Sequence, residues 1–508
     1  MSAFRFGPAS SWHSLRQLIP SASYVNCGNI SFREVATHAE HCGPGVLFVP
    51  LAGSLHLQAE FLKSAAQRGV SGILTDFPLP DLPVPQGIVR DVRHAHGWLV
   101  HGMAQYPSKQ LETVGVTGTN GKTTITWMLR SIWKAAGIQA GLLGTIEYDD
   151  GVLPPSSATL TTPAAATLAE WMQRMVRQGT SRLAMEVSSH ALQQQRLAGV
   201  ALAAAVFTNV TQDHLDYHGT FEAYLAAKLR LLDYLKPGAP VVLNGDDPTL
   251  RGILTDIQEN YPCRTVGFTP ENDVRIHVKE LRLNGSTFEI HAADFSLLLE
   301  IPVPGAHNLM NAALAATLAC ELGLSSAAIQ QGLRWLAPPP GRMQRVSREE
   351  CPFDCFVDYA HTPDAIRQVL SSLRPLVTGR LICVFGAGGG RDREKRPEMA
   401  RAALLADLIV LTSDNSRNEP TEQILRDITA GFPASRTPDR IAQDRAEAID
   451  WAIQQAQPGD CVLILGKGHE TGQQIGLETI EFNDVQQTQA SIDRHNSLHS
   501  CLPKRISA

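Results

Sequence analysis

One stretch constrains the fold of this chain more than any other: Val114-Gly115-Val116-Thr117-Gly118-Thr119-Asn120-Gly121-Lys122-Thr123-Thr124. Val114 and Val116 read as a short apolar strand, and the small residues after them read as a tight turn. The run from Ile125 to Ala136 is compatible with a helix, so the turn delivers Lys122 and Thr123 to a helix N-terminus. Backbone N–H groups at such a terminus cradle phosphates, a lysine there reaches the terminal phosphates, and a threonine hydroxyl can hold Mg²⁺. The general pattern G-x-x-x-x-G-K-[ST] is met only in part, because its first glycine falls at Val116. The shorter Gly118-Thr119-Asn120-Gly121-Lys122-Thr123 is the narrower signal.

Short apolar runs recur with helical patterns between them. Arg182 to Met185, Ala203 to Phe207 and Pro240 to Asn244 read as strands of a mostly parallel sheet. Leu381 to Phe385, Leu408 to Leu411 and Cys461 to Leu465 repeat the pattern, each followed by a polar or Gly-rich turn. Functional groups gather at such carboxyl-end turns. At 508 residues the chain exceeds one core, and about three domains are expected. A small α/β domain is read over 1–108, a P-loop-like domain over 109–337 and a Rossmann-like domain over 338–508. The stiff Pro338-Pro339-Pro340-Gly341 suits the second boundary.

The formal charge of −6 and the lack of a polybasic block give no sign of nucleic-acid binding. No stretch reaches the ~18 apolar residues of a membrane span. Nine scattered cysteines without a C-x-x-C pair argue against a disulfide framework or a zinc site and fit a reducing cytoplasm. Gly386 to Arg391 fails the dinucleotide pattern, because Arg391 stands at its last glycine.

Several residues carry chemistry by position. Glu186 follows the run Leu183 to Met185, where a carboxylate at a strand end can hold Mg²⁺. His214 follows another apolar run, although a lone histidine is more often a structural hydrogen-bonder. Phe221, Tyr224, Leu225 and Lys228 share one helical face. Periodicity alone favours a Lys228 that snorkels to solvent; a buried one would be deprotonated or paired. Asn308 and Asn311 open a helix-like run and read as capping residues. Asp414-Asn415-Ser416-Arg417 sits at a strand's carboxyl end. Arg417 there matches a carboxylate bidentately, unless it only pairs with Asp414 or Glu419 at the surface.

Taken together with Thr161-Thr162-Pro163, Glu186 to His190, Asn209 to Asp216, Gly305 to Asn311, Asp358 to Pro363 and Gly466-Lys467-Gly468-His469-Glu470, the P-loop hexapeptide resembles the Mur ligase family. These are ATP-dependent amide-forming enzymes of peptidoglycan assembly. The resemblance covers nearly the whole chain, and the motif order is that of members adding the third peptide residue. It implies an α/β fold of three domains and a cytoplasmic, monomeric enzyme using ATP and Mg²⁺. Such an enzyme joins meso-diaminopimelate to the D-glutamate carboxylate of UDP-MurNAc-L-Ala-D-Glu through an acyl phosphate.

The resemblance also implies roles. Gly118, Thr119, Asn120, Gly121, Lys122, Thr123 and Thr124 hold ATP, with Asn308 and Asn311 near the adenine and Arg342 and Asp358 closing over it. His307 departs from the usual Phe. Thr123, Glu186, His214 and a carbamylated Lys228 serve the Mg²⁺ ions. Thr161, Thr162, Ser188, Gln194 and Arg196 grip the muramoyl-dipeptide. Ser54 lies where the uridine pocket begins, although the usual Asp-Ser-Arg signature is replaced by Ile30-Ser31-Phe32-Arg33-Glu34. Arg391, Asp414, Asn415, Arg417, Gly466 and Glu470 hold diaminopimelate, with Ser416 where the family usually has Pro. Three other readings stand beside this one, the first being the same ligation with L-lysine in place of diaminopimelate. A folylpolyglutamate synthetase would lack the N-terminal nucleotide domain and the Asp414 to Arg417 motif. A P-loop regulator that hydrolyses ATP without ligating would need no amino-acid site.

Overall fold

Strands of two to nine residues alternate with helices through most of the chain. The result is a mixed α/β fold with a large, mostly parallel central sheet. The computed structural model describes residues 4–5, 11–51, 55–348 and 350–500. The chain forms two compact units: Met1–Thr117, Gly137–Val206 and Leu225–Val241 make one, and Gly118–Ala136, Phe207–Tyr224 and Val242–Ala508 make the other.

In the first unit, Glu34–Ala36, Val46–Phe48, Gly72–Thr75 and Gln86–Ile88 run parallel, and Ser23–Val25 closes one edge antiparallel. Alternation along these strands sends side chains to opposite faces. Leu47, Val49 and Leu74 pack with Leu99 and Val100 of the helix Val92–Met103 and with Ala165 and Ala169 of the helix Ala165–Arg177. Val46, Phe48 and Ile73 pack on the other face with Leu62 and Ala65 of the helix Leu55–Gln67. The same unit sets Ala140–Leu143, Arg182–Glu186 and Glu112–Thr117 side by side in parallel. That register brings Glu186 level with Val116, near the strand's end.

The second unit opens on the expected helix, Lys122–Ala135, which follows Gly121 at φ 86°. Ile125, Met128, Leu129, Ile132 and Trp133 are fully buried at helical spacing. Its main sheet runs parallel through Asp354–Asp358, Cys461–Leu465, Leu381–Phe385, Leu408–Thr412 and Arg440–Ala442. Cys383, Phe385, Ile409, Leu411 and Leu463 face Ile366, Leu370, Met399 and Ile424. Ile382, Val384, Val410, Val462 and Ile464 face Ile449, Ile453 and Ile492. Both faces are therefore covered, which explains why these strands read as continuous apolar runs. Pro338 to Gly341 forms a close-packed turn. Gly341 lies at φ +64°, and a Cβ on it would stand 2.1 Å from the Gly468 and His469 backbone.

One charged element lies inside this unit. Arg445 and Asp484 are both 0% exposed and form a two-pronged pair at 2.7 Å. Arg445 also donates to the Ser413 and Leu465 carbonyls, at 3.2 and 3.0 Å. It thereby ties down the two strand ends from which the motifs Asp414 to Arg417 and Gly466 to Glu470 depart. No helix among the described residues is long and apolar enough to cross a membrane.

Candidate active site

The turn Gly118 to Thr123 is built as its residue types require. Gly118 has φ +148°, and a Cβ there would lie 1.8 Å from Thr208 Oγ1. Gly121 has φ +86°, and a Cβ there would meet Asn311 Oδ1 at 2.5 Å. Only glycine fits either place. Lys122 Nζ folds back to donate to the Gly118 and Thr119 carbonyls, both at 2.9 Å. The Thr119 and Asn120 N–H groups donate to the Asn209 carbonyl and to Asn209 Oδ1. Thr123 and Thr124 are buried in the first turn of the helix. Arg342 Nη2 reaches Thr123 Oγ1 at 3.4 Å, and its guanidinium lies 4.4 Å over the Tyr359 ring. Asp358 accepts from the Met343 and Ala360 N–H groups at 2.7 and 2.8 Å.

Asn308 and Asn311 do not cap their helix: Gly305 holds the N-cap position, and both asparagines are buried within Ala306–Glu321. His307 beside them is half-buried, with Nδ1 3.2 Å from Ser372 Oγ, and desolvation lowers its pKa to about 4.

Asp414, Asn415, Arg417, Gly466 and Glu470 line a cavity of about 150 Å³ with Asp213, His214, His361, Arg391 and Lys395. Arg417 does not pair at the surface. Its guanidinium donates to the carbonyls of Gly389 at 2.8 Å and Asn415 at 3.5 Å. Glu419 is taken instead by Arg396 and Arg393. Arg417 also stands at φ 51°, unusual for a side-chain-bearing residue. A two-way backbone bridge holds it there: its N–H donates to the Gln474 carbonyl, and its carbonyl accepts from Gly476 N–H. Gln473 completes the clasp, donating to Ser413 Oγ and the Asp414 carbonyl at 2.7 and 3.1 Å. Gly466 at φ +116° leaves room for Asp414, whose Oδ2 would lie 2.7 Å from a Cβ there. Burial pushes the Asp213 carboxyl up, but His214, His361 and Lys395 together hold it below the usual range. The His214 ring lies 3.4 Å from Asp213.

In the first unit, one hydrogen-bonded chain joins most of the residues expected to hold the muramoyl-dipeptide. Glu186 is 1% exposed and accepts from the Thr145 N–H and hydroxyl at 2.8 and 3.0 Å. Thr145 reaches Thr161 at 3.1 Å, and Thr162 bonds the Glu186 carbonyl at 2.9 Å and the Ser188 N–H at 3.0 Å. Arg196 donates to the Thr162 carbonyl and to Gln194, at 2.7 and 2.8 Å. Gln194 and Arg196 also line a cavity of about 530 Å³ with His38, Phe48, Leu51, Arg68, Arg93 and His96. Ser54 lies outside the described residues. Lys228 is 2% exposed, so it does not snorkel as its periodicity suggested. Its helix, Phe221–Leu229, buries the face that carries Tyr224 and Ala227 as well.

Thr145 was missed at the sequence level, although Gly144-Thr145 directly follows the strand Ala140–Leu143. The signal is Gly144 itself, where a Cβ would stand 2.3 Å from Glu186 Oε1. No group of three His, Cys, Asp or Glu among the described residues stands close enough to hold a metal ion. Within the first unit the Glu186 carboxylate is a hard oxygen donor, the type that suits Mg²⁺, which usually takes one or two carboxylates and completes its shell with substrate phosphates and water.

Two family models match the chain: Mur ligase middle domain over residues 116–319, and Mur ligase, glutamate ligase domain over 341–468. The UDP-N-acetylmuramoyl-L-alanyl-D-glutamate–2,6-diaminopimelate ligase of Thermosynechococcus vestitus is 40% identical, over 94% of this chain and 98% of its own. That of Gloeobacter violaceus is 39% identical over 93% and 96%. A solved structure of an enzyme with that activity aligns with TM-score 0.69 and 33% identity, covering 96% of this chain and 100% of its own. Likeness of this extent takes in the N-terminal segment that a folylpolyglutamate synthetase would lack. The chain belongs to the Mur ligase family and is an ATP-dependent ligase.

Proposed function

We propose that the chain joins meso-2,6-diaminopimelate to the D-glutamate side-chain carboxylate of UDP-N-acetylmuramoyl-L-alanyl-D-glutamate, at the expense of ATP. The carboxylate oxygen attacks the γ-phosphorus, ADP leaves, and an acyl phosphate forms. The amine of diaminopimelate then attacks the acyl carbon, phosphate leaves with the C–O bond, and the nitrogen gives up a proton. There is little covalent work for the protein, so positioning and charge neutralisation carry the rate.

The resemblance supplies the residue roles, and the geometry supports several of them. Lys122 swings from the turn carbonyls to the γ-phosphate, and the N–H groups of Gly121 to Thr124 hold the other phosphates. Asn308 and Asn311 approach the adenine, and Arg342 and Asp358 close the nucleotide site. Thr145 fixes the Glu186 carboxylate. Arg196, oriented by Gln194 and Thr162, meets an anionic part of the muramoyl-dipeptide. Thr123, Glu186 and His214 would hold Mg²⁺, with Lys228 serving as an N6-carboxylate. Mg²⁺, when bound, neutralises charge on the phosphoryl oxygens. The burial of Lys228 supports the carbamate, because desolvation favours the neutral amine that adds CO₂. The same reading gives a cytoplasmic location, small-molecule partners only and a single chain as the acting unit.

The observation that carries the amino-acid assignment is Arg417. It is held in a polar cavity by backbone alone, with no carboxylate partner among the described residues. Diaminopimelate brings a distal carboxylate to such a site. Incubation with ATP, the nucleotide substrate and single amino acids tests the function. ADP release is expected only when both acceptor and diaminopimelate are present. Release independent of the amino acid would contradict ligation.

A further inference from the structure

Lys467 lies between the residues expected to hold the amino acid, yet it does not line their cavity. Its side chain is 0% exposed. Nζ donates to Glu470 Oε2 at 2.8 Å, Asn415 Oδ1 at 3.1 Å and the Gly472 carbonyl at 2.8 Å. An ammonium has three N–H groups, so all are used. Asn415 Oδ1 takes a second donor, the Gln474 N–H at 2.9 Å, and Asn415 Nδ2 donates to Glu470 Oε2 at 2.7 Å.

This arrangement settles two orientations that are otherwise free. A side-chain amide can present either end, but an ammonium and a backbone N–H on one side admit only its oxygen there. The NH₂ end of Asn415 is thereby turned toward Glu470. The Glu470 Oε2 atom is engaged by two donors, while Oε1 has no protein donor among the described residues. Asn415 and Glu470 both line the cavity, and the groups they have left over are one N–H of the amide and the Glu470 Oε1 oxygen. That pair complements a zwitterionic amino-acid head, which offers a carboxylate to the first and an ammonium to the second.

We propose that Lys467 is a positioning residue that sets the polarity of this wall and so the selection for a distal ammonium. The proposal rests on the diaminopimelate reading of the cavity. Without Lys467 the Asn415 oxygen keeps only the Gln474 N–H, and Glu470 loses the cation that fixes its Oε2, so the wall holds a ligand ammonium in a less defined place.

The test uses three amino acids: meso-diaminopimelate, 2-aminopimelate (which keeps the distal carboxylate and lacks the ammonium) and L-lysine (which keeps the ammonium and lacks the carboxylate). Wild type should reject both analogues. Lys467→Met should lower the kcat/KM ratio of diaminopimelate to 2-aminopimelate by ~10-fold or more, with lysine still rejected through Arg417 and KM for ATP within ~2-fold. Should Lys467→Met not fold, Lys467→Gln, checked by ATP-dependent thermal stabilisation, is expected to shift the ratio in the same direction. Equal loss on all three amino acids, with the ratios unchanged, would reduce Lys467 to a structural role and overturn the proposal. Lysine used as well as diaminopimelate by wild type would instead overturn the underlying reading of the cavity.

Discussion

The cavity of about 530 Å³ in the first unit and the cavity of about 150 Å³ around Arg417 in the second are walled by different chemistry. The first has Phe48, Pro50, Leu51, Phe61 and Ala164 to Ala166 as its walls, with Arg68, Arg93 and Arg196 among them. The second has ionisable or amide side chains at most of its positions, backed by the buried Lys467 and Arg445. A large ligand meets the first mainly through shape and apolar area, so its binding energy is spread over many weak contacts. A small, multiply charged ligand meets the second through a few desolvated partners, and each of these is costly to lose.

The largest expected effect lies outside both cavities and sets the scale. Lys122→Ala should lower kcat by ~10³-fold or more while KM for amino acid and nucleotide substrate change little. Single-turnover formation of the acyl phosphate checks it, and near-normal formation would remove Lys122 from the chemistry. Lys228→Ala comes next, with a loss of ~10²-fold or more if its carbamate is a metal ligand. ¹³CO₂ labelling followed by NMR should show a bicarbonate-dependent signal in wild type that the variant lacks, and active wild-type enzyme without that signal would exclude the carbamate.

The contrast between the cavities is sharpened by Arg68→Ala and Phe61→Ala. Each should raise KM for the nucleotide substrate only ~3–10-fold, about 1 kcal/mol, as expected where energy is dispersed. A 10³-fold loss at either residue would erase the distinction. The last effect is on stability and leaves catalysis untouched. His101 is 0% exposed, neither ring nitrogen has a partner among the described residues, and burial followed by the nearby His96 lowers its pKa to about 3. An unfolded histidine titrates near 6.5, so between pH 6.5 and 3 the unfolded chain binds more protons. Stability is then lost as pH falls through that window, by up to ~1.4 kcal/mol per pH unit from this group. Urea titrations of His101→Leu should show a shallower pH dependence than wild type below pH 6.5, and parallel curves would contradict this.

The two cavities also differ in how far they were legible in the sequence. Asp414 to Arg417 and Glu470 stand in contiguous motifs at strand ends, where alternating apolar runs point directly. The P-loop was legible for the same reason: strand Glu112–Thr117, turn and helix Lys122–Ala135 occupy one local stretch. What holds the motifs in place was not legible. Arg445 reaches Ser413 and Leu465 across 32 and 20 residues, and Gln473 reaches Ser413 across 60. Such pairings arise from tertiary packing and leave no local pattern. Lys228 shows the limit of periodicity. Its spacing placed it on the apolar face, but a lysine stem can be buried with its head in water, and only packing decides. The first cavity draws on positions 37 to 196 with no single contiguous motif.

The central claim is that a small number of fixed charges select the amino acid, and Arg417 tests it most directly. The measurement is kcat/KM for meso-diaminopimelate and for L-lysine on wild type and on Arg417→Ala. The account predicts a wild-type preference for diaminopimelate of ~10³-fold or more, because lysine leaves Arg417 desolvated without a carboxylate. It predicts that Arg417→Ala loses most of that preference while ATP binding is retained. Equal use of lysine by wild type, or an unchanged preference in the variant, would contradict it.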